Sequence, residues 1–215
     1  MSRVVRAVAA LIVLTACGSD SATGPLSRFD ITSTLPSGWS TVGGTSATYV
    51  VGTDRATVHG GQVAVAMAGT DSASAFFTGI GQVIKADLFR GKRVRFSAWV
   101  RGENIHAAVA GLWMRVDSDD ETEAFDNSMA HPEKGTTDWH QFTVILDVPN
   151  DAAGIAFGAL LHGSGVLAVD DMTFEVIPAT GPTTDQFTQP VSITPGQAAF
   201  YSQFPAAPVN LDFES

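Results

Sequence analysis

Alternation of apolar and polar side chains is the feature that most limits what this chain can become. Val94, Phe96, Ala98 and Val100 alternate with Arg93, Arg95, Ser97, Trp99 and Arg101. The same period runs through Ala108, Ala110, Leu112, Met114 and Val116, with Val109, Gly111, Trp113 and Arg115 opposite, and again through Phe142, Val144, Leu146 and Val148. Successive side chains of a strand point to opposite faces, so a period of two marks a half-buried strand. Other short β-like runs are SATYVVG, GQVAVAMAG, GQVIKADLF, AGIAFGALLHG and VLAVDDMTFEVI, separated by Gly, Asn, Asp and Pro. No stretch of ten or more between residues 29 and 177 carries a 3.6-residue period. Eight or so strands with turn signals between them predict an all-β fold, an antiparallel β-sandwich or jelly roll, over residues 29–177.

Charge narrows the partners. The chain has 215 residues, enough for one domain with extensions, and a formal charge of −10. Such a surface repels nucleic acid and anionic lipid. The densest basic run, RGKRVR, reads as strand and turn charge. No nucleic-acid partner is expected.

The N-terminus reads as an address. Arg3 and Arg6 precede a ten-residue apolar run, AVAALIVLTA, which is half of what spans a bilayer. That is the pattern of a secretory signal. LTAC, ending at Cys17, resembles the lipobox of bacterial lipoproteins. The resemblance implies a signal peptide over residues 1–16, acylation of Cys17 and a lipid bilayer as partner. It places the protein in the bacterial cell envelope, in the outer membrane where the organism has one, because Gly18 and not Asp follows the cysteine. A plain secretory leader with Cys17 incidental is the alternative. Cys17 is also the sole cysteine, so no disulfide holds the fold. Residues 17–28, which include GSDSATGP, read as a flexible tether.

After Ile177 the composition changes. Residues 178–215 are rich in Pro, Thr and Gln with weak periodicity, and 178–208 read as mostly extended or disordered. In 209–214 Leu211 and Phe213 alternate with Asp212 and Glu214, as in a strand that could join a sheet edge of this or a neighbouring protein. A frayed tail is the alternative.

FRGKRVRFSAWVR, AGLWMRVD, FDN, GTTDWHQFTVILDVP, IAFGALLHGSG and VDDMTFEV follow one another in an order that resembles a bacterial galactose-binding-like jelly-roll module. The likeness covers roughly residues 38–177. Such modules occur as accessory domains in some bacterial transcription regulators and secreted peptidases, and the wider class includes many carbohydrate-binding modules. The resemblance implies non-catalytic binding of a glycan or similar polar ligand. It also implies a structural calcium near the paired aspartates, with Asp171 and Asp30 as ligands; no other cofactor is required.

Trp99, Arg101, Trp113 and Arg115 share one sheet face if their two strands pair. Flat indoles stack on apolar C–H surface and a guanidinium offers a planar fork of donors, which together make a ligand floor. The alternative is a Trp–Arg stack that merely closes the second face of the sheet. Beside it, Asp117, Asp119, Asp120, Glu121, Glu123 and Asp126 fail the EF-hand spacing, with Thr122 where Gly is needed and Ser128 where the bidentate Glu belongs. They read as a solvated lip. No G-x-S-x-G, H-E-x-x-H or P-loop motif occurs, and the histidines are scattered. The chain is therefore read as a binding protein and not an enzyme. Two alternatives stay open: an envelope interaction module using a sheet edge or the terminal strand, and a hydrolase of unrecognised type.

Overall fold

A computed structural model describes residues 29–44, 48–70 and 75–215. The expected signal peptide at 1–16, the expected tether at 17–28 and Cys17, the expected acylation site, lie outside the described residues. The described residues form nine strands: β1 (Ser40–Gly43), β2 (Tyr49–Asp54), β3 (Ala64–Gly69), β4 (Thr78–Lys85), β5 (Lys92–Asp117), β6 (Glu121–Asp126), β7 (His140–Val148), β8 (Gly154–Ile177) and β9 (Val191–Ser192), followed by the short helix α1 (Gln197–Tyr201). All pairings are antiparallel.

Two strands run through the whole molecule. β5 has 26 residues and β8 has 24, and they pair from Arg93 opposite Ile177 to Asp117 opposite Gly154. The runs RVRFSAWVR and AAVAGLWMRV, read above as two strands, are thus one, as are AGIAFGALLHG and VLAVDDMTFEVI. Their register breaks between Glu103 and His106 and between Ala107 and Val109, opposite Gly163 and Gly165. Both glycines have positive φ, 148° and 108°. A Cβ on either would lie 2.5 Å from a β5 carbonyl, that of His106 or Asn104. Only glycine lets the ribbon bend so closely there.

The bend divides the ribbon between two layers. In one, β2 and β3 flank the later half of β8, and β7 pairs with the first half of β5. In the other, β1 and β4 flank the first half of β8, and β6 and β9 follow the later half of β5. The apolar series of each strand meet between the layers. Phe96 and Phe174 of the first layer pack on Phe157 of the second at ring-centroid distances of 5.0 and 4.9 Å. Val94, Val100, Leu112, Met114, Val144 and Leu146 are fully buried there, as the alternation requires. The fold is an all-β antiparallel sandwich. Ala108 departs from its series and is exposed, because the bulge at the bend interrupts the alternation there; from Ala110 onward the series is buried.

The segment after Ile177 corrects the reading of a loose tail. It is a strap around the sandwich, tied at spaced points. The Thr184 N–H donates to the Ile145 carbonyl at 2.8 Å, covering the outer edge of β7. Gln186 does the same for Phe125, and β9 pairs with Glu121 and Thr122 of β6. Tyr201, 1% exposed, donates its hydroxyl to Asp117 Oδ2 at 2.5 Å. Further along, Gln82 bonds both the N–H and the carbonyl of Val209, and Trp39 Nε1 donates to the Asn210 carbonyl at 2.9 Å. Residues 209–214 are a turn and not a strand: Asn210 and Phe213 have φ of 48° and 62°. Phe213, 2% exposed, packs edge-on against Trp39 at 5.3 Å. Unpaired edge groups would otherwise need water or another chain, so the strap completes the sheets.

Two measurements check the strap. Phe213→Ala should lower the free energy of unfolding in urea by about 3–5 kcal/mol, the usual cost of emptying a core aromatic site; a change below 1 kcal/mol would show that the segment does not belong to the core. Burial, reinforced by the hydrogen bond and charge of Asp117, pushes the Tyr201 phenol well above its ordinary pKa, against the opposing effect of Arg115. The unfolded chain then loses this proton at about pH 10 while the folded protein keeps it. Stability should therefore be intact below pH 10 and fall above it, by up to about 1.4 kcal/mol per pH unit for this group. The Tyr201→Phe variant should lack that part of the alkaline slope.

Candidate ligand-binding site

Because β5 is one bent strand, its two Trp–Arg pairs are not neighbours. Trp99 and Arg101 alternate with core-facing Ala98 and Val100 on the outer surface of the first layer, whereas Trp113 and Arg115 alternate with Leu112, Met114 and Val116 on the outer surface of the second. The structure therefore corrects the expectation of a single floor made by all four.

The Trp99 face is already occupied. The loop between β2 and β3 is pinned by Asp170, whose Oδ2 accepts the His59 and Gly60 N–H groups at 2.8 and 3.1 Å. The His59 ring lies flat on Trp99, centroids 4.0 Å apart and planes 13° from parallel, and meets Trp139 edge-on. His59 Nδ1 is 2.6 Å from Asp171 Oδ2. Arg101 lies 3.8 Å from Asp138. Further along the same surface Phe29 and Ile31 pack over Ala66, Ala68, Val166 and Ala168. Trp99 is thus part of a closed aromatic stack.

Trp113 is not covered in this way. Its row across the second layer is Trp113, Gly158, Gly81. The indole reaches over β8 to β4, where Nε1 donates to the Ile80 carbonyl at 3.3 Å and a Cβ on Gly81 would come within 2.9 Å of Cζ2. Half-buried Trp113 and Arg115 line a cavity of about 370 Å³ with Phe77, Phe125, Asn127 and Met129 among its walls. Phe77 and Met129 are 40% and 59% exposed, so the rim carries apolar surface into solvent. An aromatic floor with a guanidinium, an amide and His162 around it can stack on a ring and bond its substituents.

Arg115 is held from below. Its Nη2 is 3.0 Å from Asp117 Oδ2, on a carboxylate with no exposure. Burial disfavours the guanidinium charge, but Asp117 and Tyr201 together more than offset it, and the pKa of Arg115 lies above its ordinary value. Thr122 Oγ1 donates to Asp117 Oδ1 at 2.8 Å. The acidic run read as a solvated lip is therefore corrected: Asp117 and Asp126 are fully buried, and much of the run is β6. Asp126 Oδ1 accepts the Ser128 N–H and the Gln186 amide, and Asp119 Oδ1 caps Ala198. These acids receive the strap.

Asp30 and Asp171, the implied calcium ligands, have other partners in this structure. Asp30 is exposed and gives its N–H to Asp54 Oδ1 at 2.9 Å, while Asp171 is engaged by His59. Burial holds the pKa of Asp170 above its ordinary value, against the opposing effect of the three backbone N–H groups its carboxylate accepts. Among the described residues no group of three or more His, Cys, Asp or Glu side chains is placed to hold a metal.

No family model matches the chain. A stretch of 151 residues, 69% of the chain, is 36% identical to the uncharacterized HTH-type transcriptional regulator YbfP of Bacillus subtilis (strain 168). The chain spans about half the length of that relative, 50%. Among solved structures, the CBM22-1 xylan-binding domain of Paenibacillus barcinonensis Xyn10C is similar at a TM-score of 0.46 and 13% identity, over 69% of this chain and 92% of that one. TmCBM61, solved in complex with β-1,4-galactotriose, is similar at a TM-score of 0.44 and 15% identity, over 66% and 91%. Likeness at these levels is too low to bear on family or ligand.

Proposed function

We propose that the protein is a non-catalytic binding lipoprotein of the bacterial cell envelope, anchored through acyl chains on Cys17, whose sandwich domain takes a glycan or similar polar ring in the Trp113 cavity. The observation that carries the reading is the Trp113 indole, fixed by its bond to Ile80 and half-exposed beside Arg115 at the floor of an open cavity. Such a site offers a flat apolar face with donors at its margin, the complement of a sugar ring with C–H surface and equatorial hydroxyls. The described lining contains no carboxylate, so it lacks the acid pair of a glycoside hydrolase. A segment shared with a regulator suits the same reading, since a sensing module and an envelope receptor both need a reversible pocket.

Docking of another envelope protein through a terminal strand has no support in the geometry. Residues 209–214 turn into the molecule's own core through Leu211 and Phe213.

A glycan array probed with the intact soluble domain tests the reading. Trp113→Ala should weaken any bound glycan by roughly thirtyfold, about 2 kcal/mol, as expected when a buried aromatic anchor is lost. Trp99→Ala should leave that affinity within about twofold, since His59 already covers its ring. An array without hits, or equal losses in the two variants, would remove the Trp113 cavity as the glycan site.

A further inference from the structure

An arginine beside an indole ordinarily invites an anion: a carboxylate or sulfate fits the guanidinium fork and gains from its charge. The surroundings of Arg115 argue otherwise. We propose that Asp117, held beneath the cavity by Tyr201 of the strap, is its specificity-determining residue. By cancelling the charge of Arg115 it makes the cavity take an uncharged hydroxylated ligand and turn away a carboxylated or sulfated one of the same shape. This inference rests on the reading of the Trp113 cavity as a ligand site.

The cancellation is built into the fold. Asp117 is the last residue of β5, two positions beyond Arg115 on the same side of the strand, so the alternation itself puts the two side chains together. Nη2 and Oδ2 are 3.0 Å apart, and Asp117 has no exposure, so water cannot screen its charge from the guanidinium. Both carboxylate oxygens are engaged, Oδ1 by Thr122 and Oδ2 by Tyr201 and Arg115. This leaves the group no freedom to turn away.

Tyr201 comes from a distant part of the chain, and its seat is prepared. Gly154 stands opposite Asp117, and a Cβ there would fall 1.9 Å from the Tyr201 ring. The Ala153 N–H also closes onto the Asp117 carbonyl at 2.7 Å. The strap thus supports from beneath the carboxylate that the strand register has placed beside Arg115. Arg115 keeps 42% of its side chain exposed, so it can still donate to ligand hydroxyls. What it no longer offers is net charge, and the chain's overall charge of −10 adds to the rejection of anions.

Two kinds of probe test this on the folded domain. The first needs no ligand: quenching of the Trp113 fluorescence, isolated by subtracting a Trp113→Phe variant, by iodide and by caesium. With each quencher scaled to its effect on free N-acetyltryptophanamide, caesium should quench at least as well as iodide in the wild type. In Asp117→Asn, which keeps the shape and exposes the guanidinium charge, the iodide-to-caesium ratio should rise about threefold, the effect of one unit charge at the cavity mouth. Iodide ahead of caesium on that normalised scale in the wild type would overturn the proposal without any variant, so it stays testable if Asp117→Asn fails to fold. An unchanged ratio in a folded Asp117→Asn would overturn it equally.

The second probe is calorimetric titration with a neutral hexose oligosaccharide and a galacturonate oligosaccharide of equal length. The galacturonate should bind about tenfold more weakly or worse, because its carboxylate is desolvated without a free cation to meet it. Asp117→Asn should narrow or reverse that gap, whereas loss of a merely structural contact would weaken both sugars alike. Equal or tighter galacturonate binding by the wild type would overturn the proposal. Binding of neither sugar would count against the glycan reading, and the quenching ratio would still decide the inference about charge.

Discussion

The pairing of β5 with β8 is the constraint on which the rest depends. It runs from Arg93–Ile177 to Asp117–Gly154 and passes through both layers of the sandwich. Every other long strand is attached to one half or the other of this ribbon. Its bend, where Gly163 and Gly165 let the two backbones approach, brings Phe96 and Phe174 over Phe157 and so makes one core from two sheet surfaces. The same bend sends Trp99 and Trp113 to different sides of the molecule although they are only fourteen positions apart on one strand.

A ribbon of this kind leaves edges, and the strap covers several of them. Its hold is a series of single points: Thr184 on β7, Gln186 and β9 on β6, Tyr201 under the end of β5, Val209 on Gln82 and Phe213 in the core. The acidic segment that follows β5 supplies much of the receiving surface. Buried Asp117 and Asp126 accept a hydroxyl and an amide donor from the strap, which satisfies groups that would be costly to bury alone, and exposed Asp119 accepts a strap backbone N–H. One of those anchors, Asp117, also holds Arg115 of the candidate ligand cavity from beneath. The strap and the cavity thus share a residue, and the character of the site depends on a segment far from it in sequence.

Much of the sandwich was legible in the residues. The apolar series from Val94 to Val100 and from Phe142 to Val148 are the buried faces of β5 and β7, because a half-buried strand must alternate. Trp113 and Arg115 could be singled out as an aromatic and a guanidinium on the polar face of a strand. The continuity of β5 and β8 could not, since the glycines and polar residues at their bend look the same as turn signals. Nor could the strap. Its anchors are isolated residues among Pro, Thr and Gln, and isolated anchors leave no period. The acidic run misled for a related reason: Thr122, Ala124 and Asp126 are buried in alternation, but one of the three is apolar, and the Gln186 amide that meets Asp126 comes from the strap.

The amino-acid sequence by itself determined that this chain forms short antiparallel strands with an apolar core between them, because side-chain alternation is a local property of extended backbone. Only the tertiary structure decided which aromatic stays open and which is covered. That outcome depends on groups brought from far along the chain, His59 laid onto Trp99 and Tyr201 seated beneath Arg115. No local pattern encodes such meetings; they follow from where the ribbon bends and where the strap returns.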